Sequence, residues 1–174
     1  MLVNAQADME VVAEAPDGEK AVQSARETKP DVALLDLTMP RVGGMQALQQ
    51  MARNCSDTRV LVLTMHDDPA YLRSALAAGA SGYLLKRAVD AELLAAIRAV
   101  HHGGIFVDPR LANVLVQDVL AKRRTGGASI QPVNVLSDRE LQVLTLVARG
   151  YTRGSRICTF VFIVITPSQV SWLR

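Results

Sequence analysis

Four short runs of branched apolar residues punctuate the first half of the chain: MEVVAEA at 9–15, VALLDL at 32–37, RVLVLTM at 59–65 and SGYLLK at 81–86. Bounded by Asp, Gly or Pro, they read as strands. The second and third are apolar at nearly every position, whereas a half-exposed strand alternates. Both of their faces are therefore expected under cover, as in a parallel sheet flanked by helices. Between the runs the apolar period lengthens to that of a helix. Residues 17–28 follow Asp17-Gly18, and residues 44–53 set Met45, Leu48 and Ala52 on one face. Residues 69–78 start from Asp68-Pro69, an N-cap followed by proline at the first helical position. Residues 90–102 stack Leu93, Ile97 and Val100 on one stripe and stop at Gly103-Gly104. Strand then helix, repeated, predicts an open, doubly wound α/β sheet, in which reactive groups gather at the carboxyl ends of the strands. Asp36, Thr64 and Lys86 fall there.

After Gly104 the order changes. Residues 108–124 carry a helical stripe through Leu111, Val114, Leu115 and Val119, and TGGASIQPVN at 125–134 has linker composition. A second module is expected from Val135: in LSDRELQVLTLVARG, Ser137 and Glu140 form a capping box, Leu141, Leu144 and Ala148 define a buried face, and Gly150 ends the helix. ICTFVFIVIT at 157–166 is too short to span a bilayer as a helix, which takes about 20 residues, and reads as a strand that would aggregate if exposed.

Composition narrows the function classes only in part. At 174 residues and 49% hydrophobic content the chain suits one full domain plus a fragment. A net charge of +2 does not by itself indicate a nucleic-acid partner, and Lys122-Arg123-Arg124 reads as a solvated, dipole-favoured helix end. Cys55 and Cys158 lack metal-ligand spacing and no Sec-type leader is legible, so a reduced, cytoplasmic protein with no membrane partner is expected. Asn54-Cys55-Ser56 matches a glycosylation acceptor pattern that arises by chance. His101 and His102 are expected to point apart and to complement a helix C-terminus rather than to share a metal. No nucleotide-binding glycine loop, nucleophile elbow or zinc-protease motif is present, which argues against an enzyme.

An aspartate, a hydroxyl and an ammonium at three successive strand ends suit phosphoryl capture: the carboxylate attacks, the hydroxyl binds a phosphoryl oxygen, the lysine neutralises charge. Each has a bland alternative. Asp36 could cap its own Pro/Gly loop, Thr64 could be an ordinary strand residue, Lys86 a solvated charge and Tyr83 plain core. Taken together, LLDLTMPRVGG, VLVLTMHDD, AGASGYLLK and LSDRELQVLTLVARGYT resemble the NarL/FixJ family of two-component response regulators, over roughly residues 1–151. The resemblance implies a flavodoxin-like (CheY-like) receiver over 1–107, a linker helix and flexible linker over 108–134, and the start of a LuxR-type helix-turn-helix domain over 135–151. It implies that Asp36 accepts a phosphoryl group from a histidine kinase, that Thr64 and Tyr83 then move inward, and that Lys86 pairs with the phosphoryl group or with Asp36. Mg²⁺ at Asp36 and the Thr38 carbonyl, DNA as the output partner, and homodimerisation follow from the same likeness.

Two departures qualify those implications. The family's first receiver strand ends in an acidic pair that helps to hold Mg²⁺, and MLVNAQADMEVVAEA resembles the family only from the middle of the first helix onward. Asp8 and Glu10 flank the wrong end of a strand to replace that pair. Weak or absent Mg²⁺ binding and impaired phosphotransfer are expected, with a phosphorylation-independent interaction module as the alternative. In the family's 2-1-3-4-5 sheet the missing strand is central, between 9–15 and 32–37. Its absence leaves a slot to be closed by direct pairing of its neighbours, by another chain, or by the apolar run 159–166. The second departure is the aberrant apolar tail 152–174, in which RGSRICTFVFIVITPSQVSWLR contains no legible recognition helix and suggests a shifted frame or a truncation. Loss of DNA binding is the expected consequence.

Overall fold

The computed structural model describes residues 2–39, 43–88 and 90–112 and the backbone of 160–165. Ten elements follow in chain order: β1 (Met9–Ala15), α1 (Gly18–Thr28), β2 (Val32–Asp36), α2 (Gly44–Asn54), β3 (Arg59–Thr64), α3 (Pro69–Ala77), β4 (Gly82–Leu85), α4 (Asp90–His101), β5 (Phe106–Val107) and β6 (Phe160–Ile165). The first eight lie within two residues of their sequence-predicted bounds. The two-residue β5 was not anticipated, because Ile105, Phe106 and Val107 are too few to set a period.

Local chemistry starts and stops the helices. Asp17 accepts the Lys20 N–H at 3.0 Å to open α1, which closes where Lys29 turns left-handed at φ 46° and donates to the Ala25 carbonyl. Asp68 accepts the Ala70 N–H at 2.8 Å ahead of Pro69 in α3. In α2 the buried face is Ala47, Leu48 and Met51; the expected Ala52 is exposed. The apolar stripe is rotated by one residue, because the large Met51 takes the inward position that a small alanine fills less well.

The six strands form one sheet in the order β1-β6-β2-β3-β4-β5, and all neighbours are parallel. The slot anticipated between 9–15 and 32–37 is thus filled from within the chain: β6 runs beside β1 from Met9↔Phe160 to Ala15↔Ile165, with an irregularity between Val11 and Ala13, and beside β2 from Val32↔Phe162 to Leu35↔Ile165. Direct pairing of β1 with β2 does not occur. Filling the slot gives backbone groups of β1 and of the fully buried β2 their partners; a buried group left unpaired would cost about 1–3 kcal/mol.

Alternate residues of the central strands feed two cores. Ala33, Leu35, Val60, Val62, Tyr83 and Leu85 pack under α1, α2 and α3, whereas Val32, Leu34, Leu61, Leu63 and Leu84 pack under α4. Among the described residues, α4 is the one helix on the second face. Beside it, residues 2–8 run through turns, bury Val3, and are clasped by Arg98, which donates to both Asp8 carboxylate oxygens at 2.8 and 2.9 Å and to Gln6. Those hydrogen bonds from Arg98 hold the Asp8 carboxyl below its ordinary range.

Residues 113–159 and 166–174 lie outside the described residues. So, therefore, do most of the expected linker (108–134), the helix-turn-helix opening (135–151), most of the tail (152–174), the basic run 122–124 and Cys158.

Candidate functional site

The parallel register brings three strand tips together. Asp36 ends β2 opposite Leu63, Thr64 ends β3 opposite Leu85, and Lys86 follows β4 directly. Because β3 lies between β2 and β4, the Lys86 side chain reaches across it to form an ion pair with Asp36 Oδ2, while the Lys86 N–H donates to the Thr64 carbonyl at 2.7 Å. Asp36 is 2% exposed and Lys86 14%. A buried carboxylate needs such a partner, since an unpaired charge taken from water costs several kcal/mol.

The other Asp36 oxygen, Oδ1, accepts the Thr38 N–H at 2.8 Å. The bland turn-capping role and the ion pair are therefore both realised, one on each oxygen. Gly44 explains how the loop closes so tightly after Asp36: a Cβ there would stand 2.2 Å from the Asp36 carbonyl oxygen and 2.5 Å from the Leu37 Cα.

Thr64 is buried, and its Oγ1 accepts the His66 N–H at 3.2 Å. The Tyr83 hydroxyl donates to the His66 carbonyl at 2.9 Å. Tyr83 is fully buried, so the inward position that the family likeness assigned to it after a switch is already occupied in this structure. Burial pushes its phenol up to about 12, helped by the neighbouring Asp68, Tyr71 and Asp67 and opposed by a hydrogen bond with Thr64. His66 is the residue that sequence reasoning missed. Its ring stacks on Tyr71 at 4.4 Å and 11°, and Nε2 lies 3.4 Å from Thr38 Oγ1, so it links the loop after β3 to the loop after β2. Nothing in MHDD marks it, because the contact with Thr38 joins loops 28 positions apart and the stack on Tyr71 depends on how the chain turns into α3.

Away from this end, the His101 and His102 rings meet edge to face at 5.2 Å, closer than the expected divergence. His101 titrates below the ordinary range because burial disfavours its charged form. At the α4 terminus Arg59 also donates to the His101 carbonyl at 3.0 Å. Among the described residues no group of three His, Cys, Asp or Glu side chains could hold a metal, and no helix is long and apolar enough to cross a membrane.

A parallel sheet carrying a paired aspartate and lysine and a buried hydroxyl at its carboxyl end is the build of a receiver domain. Residues 1–98 match the family model described as the response regulator receiver domain, and the chain belongs to that family. Over 154 residues it is 43% identical to the oxygen regulatory protein NreC of Staphylococcus epidermidis, covering 87% of this chain and 71% of the relative. The NreC of Staphylococcus aureus is 45% identical over 153 residues, with 87% and 70% covered. Among solved structures, a LuxR-family two-component response regulator from Aurantimonas sp. SI85-9A1 superposes with a TM-score of 0.60 at 38% identity, covering 63% of this chain and 78% of that one. The receiver domain of the putative response regulator NarL of Mycobacterium tuberculosis gives 0.57 at 36% identity, covering 59% and 82%. The NarL/FixJ resemblance read from the motifs agrees with these relatives.

Receiver domains generally bind Mg²⁺, and the residues present here fit it poorly. The strand beside β2 at this end is β6, whose sequence FVFIVI brings no carboxylate. Asp8 sits before β1, at the opposite end of the sheet from Asp36, and is held by Arg98. One carboxylate already neutralised by a lysine does not make the oxygen-rich octahedral shell that this cation requires.

Proposed function

We propose that the chain is the receiver of a two-component regulator, in which Asp36 accepts a phosphoryl group from a sensor histidine kinase. An Asp36 carboxylate oxygen attacks the phosphorus of the phosphohistidine. An O–P bond forms as the P–N bond breaks, and the imidazole leaves with the electron pair. Lys86 exchanges its contact with Asp36 for one with a phosphoryl oxygen, and Thr64 supplies a second hydrogen bond, so the new charge is met by groups already in place. The observation that carries the reading is the Lys86–Asp36 ion pair formed across β3, with Thr64 on the strand between. On the family pattern, residues 1–107 are the receiver, 108–134 the connection and 135–151 the opening of a DNA-binding output. Kinase and DNA belong to this reading as partners, with transfer weakened by the poor Mg²⁺ fit.

One observation favours a second reading, an interaction module that works without phosphorylation: Asp36 is already neutralised, and no other carboxylate of the described residues joins it in a metal-holding group. Incubating the full chain with acetyl phosphate, with and without Mg²⁺, and weighing it by intact mass spectrometry separates the two. A phosphoryl adduct that disappears in Asp36→Asn supports the first; an unmodified chain at high donor concentration supports the second.

A further inference from the structure

Asp108 follows β5 and is fully buried. Its carboxylate joins two parts of the molecule. Oδ2 accepts the Leu85 N–H at the end of β4 at 3.3 Å, and Oδ1 accepts the Arg110 N–H at 3.0 Å, opening the helical turn 109–112. Its own N–H donates to the Tyr83 carbonyl at 2.8 Å, and its carbonyl accepts the Leu111 and Ala112 N–H groups at 2.9 and 3.0 Å. Leu111 is buried in the same core as Tyr83, Leu85 and Val107. The nearest cation, Arg110, stands 3.8 Å from Oδ2, too far for a hydrogen bond, and its side chain is 46% exposed.

A buried charge is an expensive way to cap a turn. Serine or asparagine would satisfy the Arg110 N–H equally well. What a carboxylate adds is a second acceptor oxygen: one oxygen holds the turn while the other holds Leu85. Asparagine would present its NH₂ to one of two N–H donors, and the single serine oxygen cannot serve both. The residue after Leu85 is Lys86, whose own N–H is fixed to Thr64 and whose ammonium holds Asp36.

We propose that Asp108 is a positioning and coupling residue: it ties the tip of β4, and through it the Lys86 contact with Asp36, to the helical turn 109–112. Breaking or remaking the Lys86–Asp36 contact shifts the β4 tip, and the shared carboxylate passes that shift to the turn 109–112. The inference rests on the Asp36–Lys86 pair being the responsive site. Spatial continuity alone does not establish coupling, so the test is a double-mutant cycle.

Amide hydrogen exchange is measured on the full chain for the wild type, Lys86→Met, Asp108→Ser and the double variant. Lys86→Met is expected to speed exchange at Arg110, Leu111 and Ala112 by about fivefold, within the usual range of coupling between sites. With Asp108→Ser, which keeps the cap and cuts the tie to Leu85, the same change should leave these amides unmoved. Equal acceleration in both backgrounds, or none in either, overturns the proposal. If the serine variant does not fold, Asp108→Asn, with one acceptor oxygen at the same size, takes its place under the same criterion. No phosphoryl donor is used, so a failed cycle is distinct from a failure of Asp36 to accept phosphate.

Discussion

Replacing Ile163 by proline perturbs the middle of β6, where this residue stands opposite Ala13 of β1 and Ala33 of β2. Proline has no N–H to give to either neighbour, so at least one carbonyl of a central ladder loses its partner. Leaving that group buried costs about 1–3 kcal/mol, a large fraction of the roughly 5–15 kcal/mol that holds a typical domain together. For a folded unit of about 100 residues each kcal/mol moves the midpoint by about 4–8 °C, so Tm should fall by about 4–24 °C. Differential scanning calorimetry of Ile163→Pro against Ala128→Pro, which lies in the glycine- and serine-containing stretch 125–134, measures the effect. Hydrogen exchange locates it: amides in Ala13–Ala15 and Ala33–Leu35 should lose protection, while β4 and β5 keep theirs. A Tm within about 1 °C of wild type, with unchanged protection at β1 and β2, would refute the claim that β6 completes the sheet. The connection from β5 to β6 covers residues 108–159. Because β6 is tethered to the chain whose slot it fills, its effective concentration there is on the order of millimolar. Micromolar protein should therefore close its own slot and show the same Tm on tenfold dilution.

The remaining predictions concern the site and its supports. Gly44→Ala should cost about 1–3 kcal/mol or more, because the new methyl would strike backbone of Asp36 and Leu37, whereas Gly43→Ala, with nothing within 4 Å of its Cβ, should lie within about 0.5 kcal/mol of wild type in urea titrations. Tyr83→Phe should lose about 1 kcal/mol with the hydrogen bond to His66. It should also change the alkaline limb: with the folded-state phenol at about 12 against about 10 when unfolded, wild-type stability is whole below pH 10 and declines as pH rises from 10 to 12. The phenylalanine variant should lack that share of the decline, and equal slopes in both proteins would contradict the assignment. The Arg98 hydrogen bonds lower the Asp8 pKa, so the stability they contribute is present above the unfolded value of about 4 and is lost as pH falls through the folded one. Asp8→Asn should reduce Tm at pH 7 by an amount that shrinks in acid and in high salt, as a partly exposed pair worth under about 1 kcal/mol would.

The alternating apolar runs carried most of the fold into the sequence. VALLD is buried throughout and RVLVLT from Val60 to Thr64, as their lack of alternation required. Asp17, Asp68 and Pro69 opened helices for reasons visible in the letters alone. The site was legible to the same degree, since a parallel sheet of this connectivity aligns the ends of β2, β3 and β4 once their lengths are known. What the letters withheld depends on contacts between distant residues. His66 meets Thr38 only when two loops come together, and Asp108 is unremarkable until β5 places it against Leu85. The opening residues resemble the family only from the middle of its first helix; the structure folds residues 2–8 into turns, and the clasp by Arg98, 90 positions from Asp8, gives them a place. The entry of 160–165 into the slot could be posed as one of three outcomes, but choosing among them required the register.

The position of β6 also bears on biosynthesis. A ribosome adds about 5–20 residues per second, so some seconds separate the emergence of Val107 from that of Ile165. Throughout that interval β1 and β2 face one another across an open seam, and the nascent chain must be shielded, or must wait, until its last-made strand arrives.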